Sequence, residues 1–106
     1  MGHYMFSASY TQAGLKGVLS EGADSRRKVI DGFARSLGGK VEAMYWSFGA
    51  ADVVVIAELP DNTAAAAFST TVGAAGVASI ATTVLLTAAD VDKARGLKGA
   101  YRAPGT

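Results

Sequence analysis

The run Asp52-Val53-Val54-Val55-Ile56-Ala57-Glu58-Leu59 constrains this chain more than any other segment. Its four consecutive β-branched residues are stiff about χ1 and favour a strand over a helix. Apolar and polar residues do not alternate through the middle of the run. A strand made from it therefore carries apolar side chains on both faces, and each face needs cover. Pro60-Asp61-Asn62 then stops the strand and caps a helix.

The flanking segments supply the partners. Residues 3–10 alternate, with Tyr4, Phe6, Ala8 and Tyr10 opposite His3, Met5, Ser7 and Ser9, and read as a first strand. Thr11 caps a short helical turn through Leu15, Val18 and Leu19, weakened by Gly14, Gly17 and Gly22. Val29, Ile30, Phe33 and Leu37 recur at helical spacing, predicting a helix over 25–37. Asp24 or Ser25 is the expected N-cap, and Gly38-Gly39 the left-handed stop. Residues 40–48 alternate again, with Val41, Ala43, Tyr45 and Ser47 opposite Glu42, Met44, Trp46 and Phe48. Gly49-Ala50-Ala51 then makes a short hairpin link, with Gly49 expected at positive φ. An Ala-rich helix follows from Thr63 to about Ala75, then a strand from Ala78 to Leu86. A Thr87-capped turn over 88–94 precedes a loose tail over 95–106.

The resulting order, β-α-β-β-α-β, is the ferredoxin-like plan, an α+β fold with an antiparallel sheet and helices on one face. Helices on one face leave the other face of the 52–59 strand bare. Two sheets packed face to face as a closed homodimer, or within a higher homo-oligomer, would cover it.

Composition bounds the function. A chain of 106 residues supports one modest core, taken here as a domain over 1–94. Ten Lys and Arg against nine Asp and Glu give a net charge of +1, without the basic surplus of a nucleic-acid binder. The absence of Cys removes disulfides, thiolate metal sites and thiol nucleophiles. His3, the single histidine, rules out multi-histidine metal sites, and no metal ligand set is expected. No targeting signal or membrane-length apolar run is read, and a cytoplasmic protein is expected.

Four stretches carry a resemblance: Tyr10-Thr11-Gln12-Ala13-Gly14, Ser36-Leu37-Gly38-Gly39-Lys40, Phe48 to Ile56, and Leu59-Pro60-Asp61. Together they resemble the GYD-domain family of the dimeric α+β-barrel superfamily. Gly49 and Asp52 match the naming Gly-x-Tyr-Asp motif, and Ala51 stands where the family has its tyrosine. The resemblance implies a dimeric α+β barrel, within a superfamily of cofactor-free monooxygenases, haem proteins and ligand-binding regulators.

Ser7, Ser9, Tyr45 and Asp52 are the candidate lining of a ligand pocket, which would combine apolar walls with a few polar groups. Asp52 has a second reading, as a carboxylate that accepts backbone N–H groups at the hairpin. His3 could act as a base or as one axial haem ligand, although no cofactor is expected. Arg26, Arg27 and Lys28 read as a solvated helix face. No dinucleotide fingerprint, phosphate loop or hydrolase triad is present. The leading expectation is a small-molecule-binding protein. The alternatives are a cofactor-independent oxygenase or isomerase, and an assembly module without ligand.

Overall fold

In a computed structural model describing residues 1–106, four strands form one antiparallel sheet. β1 (Gly2–Tyr10) and β3 (Val53–Leu59) are central, flanked by β4 (Ala78–Leu85) and β2 (Lys40–Trp46), giving the order β2-β3-β1-β4. Every neighbouring pair is antiparallel. Helices α1 (Gln12–Glu21) and α2 (Ala23–Ser36) link β1 to β2. Helix α3 (Asn62–Ala74) links β3 to β4, and α4 (Ala88–Gly96) follows the sheet. The chain is an α+β protein, and each crossover skips one strand position.

One face of the sheet forms the core. Tyr4, Phe6 and Ala8 of β1 and Val53, Val55, Ala57 and Leu59 of β3 are buried there, with Met44 and Ala78 beside them. Ala34 of α2 and Ala65 and Phe68 of α3 close onto them. The Phe68 ring stacks on Phe6 at 4.2 Å and on Phe33 at 4.9 Å between centroids. Tyr4 donates its hydroxyl proton to Asn62 Oδ1 at 2.7 Å, so its buried oxygen is satisfied.

The helix ends follow capping chemistry at three of four starts. Thr11, Asp61 and Thr87 each accept an N–H from the first turn through a side-chain oxygen. At Thr87 the bond is reciprocated by Asp90, a capping box. The expected cap of α2 at Asp24 or Ser25 is not found. The helix begins two residues earlier, and Gly22 at φ +93° is its N-cap. Glycine at that left-handed angle lets α1 break directly into α2. The Gly38 stop is as expected: Gly38 has φ +89°, its N–H donates to Arg35 O, and Gly39 N–H donates to Ala34 O. These two bonds make a Schellman motif.

The segment after Thr11 is a ten-residue helix rather than a short turn. Gly14 is the reason it fits, since a Cβ there would lie 1.9 Å from Val77 O. The helix crosses the start of β4 too closely for any side chain at that point.

Three expectations around β2 are corrected. β2 ends at Trp46 and β3 starts at Val53, so the link is the six-residue loop 47–52. Gly49 is not at positive φ; Phe48 is, at φ +50°. Ser47 and Phe48 both donate N–H to Asp52 O, and Gly49 N–H donates to Ala51 O inside that closure. Finally, Val41 does not share a face with Tyr45. The register shifts between Val41, opposite Ala57, and Ala43, opposite Ile56. This β-bulge inserts Glu42 as an extra residue and reverses the phase. Val41 therefore packs on the core with Met44 and Trp46, leaving Ala43 and Tyr45 on the other side.

Candidate functional site on the open sheet face

Strand pleating sends the remaining side chains to the face that α2 and α3 leave uncovered. The register orders them in rows. Tyr45, Val54, Ser7 and Ala81 are successive neighbours across β2, β3, β1 and β4. The next row holds Ala43, Ile56, Met5 and Thr83, and the row beyond it Lys40, Glu58, His3 and Leu85. An apolar centre thus lies between two polar ends.

Of the four candidate lining residues, Ser7, Ser9 and Tyr45 lie on this face. Ser7 and Tyr45 flank Val54, and Tyr45 is 73% exposed. Ser9 is one pair further toward the hairpin and donates its hydroxyl proton to Ala50 O at 3.5 Å. Asp52 is not gathered with them. Its carboxylate accepts the Tyr10 N–H at 2.8 Å, and its own N–H donates to Ala8 O at 2.8 Å. The backbone reading describes this geometry. Trp46 points to the core side, where its indole N–H donates to Tyr10 Oη at 3.1 Å.

At the other polar end the structure brings together three side chains that no sequence spacing connects. His3 Nδ1 contacts Glu42 Oε1. Glu58 lies directly opposite His3 in the β1–β3 register. Ligand-type atoms of His3, Glu42 and Glu58 all lie within 4.8 Å of one another. The bulge carries Glu42 on the strand beyond β3, so three strands contribute one residue each. The only sequence signal was that His3 and Glu58 fall on the non-core phase of their strands.

The first turn of α4 stands near this end. The Asp90 carboxyl is held below its ordinary value by hydrogen bonds from the Thr87 backbone and side chain, with smaller effects from the Lys93 and His3 charges. On α2, Asp31 is likewise held below its ordinary value. The Arg35 hydrogen bond is the main cause and the Val41 N–H the second. Lys28 pairs with Asp24 on the exposed helix surface, and the half-buried Arg26 pairs with Glu21.

The helix side carries open grooves of about 340 Å³ beside Tyr10 and Val77 and about 380 Å³ beside Tyr4 and Ser69. Its apolar cleft between the sheet and α2 and α3 encloses about 50 Å³, too little for a typical small-molecule ligand. No helix is long and apolar enough to cross a membrane.

An antiparallel four-stranded α+β domain with one bare sheet face defines the class of protein. The GYD-domain family model matches residues 4–94, and the chain belongs to that family. No curated protein and no solved structure is significantly similar to it.

Proposed function

We propose that two copies of this GYD-domain protein pack through their open sheet faces, as a ferredoxin-like dimeric α+β barrel, and bind a small molecule between them. One observation carries the reading. Met5, Val54, Ile56 and Leu85 stand half-buried on the sheet face opposite the one that packs on α2 and α3. Only 13 of 106 residues are buried, and the sheet buries its apolar side chains on the opposite face alone. A central strand rich in Val and Ile requires cover on both faces, and a second copy supplies a matching surface under two-fold symmetry.

The polar groups give such an interface its ligand chemistry. Ser7 and Tyr45 offer hydroxyls at one end of the apolar strip, and His3, Glu42 and Glu58 offer an imidazole and two carboxylates at the other. His3 and Ser7 are four residues apart, about 13 Å along the strand. Groups so placed suit a mainly apolar ligand held by polar contacts at its ends.

Light scattering on the eluting protein tests the interface. Wild type should elute at twice the chain mass. Ile56→Lys, which puts a charge at the centre of the face, should elute at the chain mass. Val29→Lys, at an exposed position on α2, should stay dimeric. A monomeric wild type, or a dimer untouched by Ile56→Lys, contradicts the reading.

A further inference from the structure

We propose that His3, Glu42 and Glu58 form a binding site for a first-row divalent metal ion, of the Mn²⁺, Fe²⁺ or Zn²⁺ class. The site is made within one chain, so it stands whether or not the face is paired.

The donor set fits such an ion. One imidazole and two carboxylates are borderline and hard donors, and two carboxylate charges neutralise a dication. Donor atoms sharing an ion at 2.0–2.2 Å are about 3 Å apart when adjacent and about 4 Å apart when opposite. Here the three donors lie within 4.8 Å of one another, so small side-chain rotations close them on one centre.

The surroundings point the same way. His3 and Glu58 are fixed by adjacent central strands as direct register partners. The bulge at Glu42 gives β2 an extra residue at this point, a device that re-aims side chains beside functional sites. The single imidazole pairs with Glu42, while the partly buried Glu58 takes part in no ion pair. Lys40, opposite Glu58 in the register, makes no ion pair with it either. Two carboxylates this close repel, and a shared cation relieves that repulsion. Three protein ligands leave coordination positions on the open side for water or an oxygen donor of a bound ligand.

The test uses full-length protein stripped with a chelator and titrated with Mn²⁺ and with Zn²⁺ by calorimetry, with native mass spectrometry for stoichiometry. Wild type should take one ion per chain. His3→Ala and Glu58→Gln should each weaken binding at least about tenfold, since losing even an outer partner of a ligand costs that much. Glu21→Gln, a surface carboxylate on α1, should bind like wild type. If His3→Ala fails to fold by circular dichroism, the near-isosteric Glu58→Gln decides. No stoichiometric ion in wild type, or unchanged affinity in Glu58→Gln, overturns the proposal. The same spectra count subunits: a metal-free dimer overturns the metal site alone, and a monomer holding one ion overturns the barrel alone.

Discussion

The Asp52 carboxylate accepts the Tyr10 N–H at 2.8 Å, tying the hairpin loop to the end of β1. With the bond from Asp52 N–H to Ala8 O, it sets where β1 stops and where β3 begins. Both bonds join Asp52 to the backbone of β1.

Asp52→Ala should therefore lower stability by about 1–3 kcal/mol, because a partly buried N–H loses a charged acceptor. Urea denaturation measures it. An unchanged midpoint would mean that the Asp52 bond contributes nothing to holding the hairpin.

Gly39 and Gly49 should respond in opposite ways to alanine. A Cβ on Gly39 would lie 1.9 Å from Glu58 O, so β2 could not keep its approach to the end of β3. Gly39→Ala should cost more than about 3 kcal/mol, beyond the usual range for a point change. Gly49 has open space around it and no positive φ, so Gly49→Ala should stay within about 0.5 kcal/mol of wild type. Thermal unfolding of the two variants side by side checks the pair.

Asp31 gives a pH prediction. Its carboxyl is held below the ordinary value by Arg35 first and by the Val41 N–H second. The folded state thus favours the charged form. The stabilisation is complete above the ordinary carboxylate range and is lost as pH falls through the lowered value. A carboxyl-detected NMR titration should place the Asp31 midpoint below that of an unperturbed Asp. Asp31→Asn should remove part of the acid-side loss of stability, and a midpoint at the ordinary value would contradict the assignment.

Much of this architecture was readable from local chemistry. Alternation in β1, the β-branched run of β3, the caps at Thr11 and Thr87 and a cap within Pro60-Asp61-Asn62 depend on neighbours in sequence, and they are found where expected. What depended on pairing was not readable. The Glu42 bulge exists only once β2 has met β3, so alternation alone puts Val41 on the face of Tyr45. Gly14 reads as a weak helix residue until Val77 is known to pass beside it. Gly22 displaced two better capping residues because the α1–α2 break needs its positive φ. The candidate site divides the same way. Ser7, Ser9 and Tyr45 follow from strand phase, whereas His3, Glu42 and Glu58 meet only through the three-strand register.

The central claim is that the open face of the sheet is an interface between two copies. Native mass spectrometry of the protein purified without denaturation tests it most directly. The account predicts a species at twice the 10.8 kDa chain mass, lost in Ile56→Lys while the variant stays folded. A wild-type protein found only at the chain mass would contradict it, because the half-buried Val54 and Ile56 would then have no second copy to complete their burial.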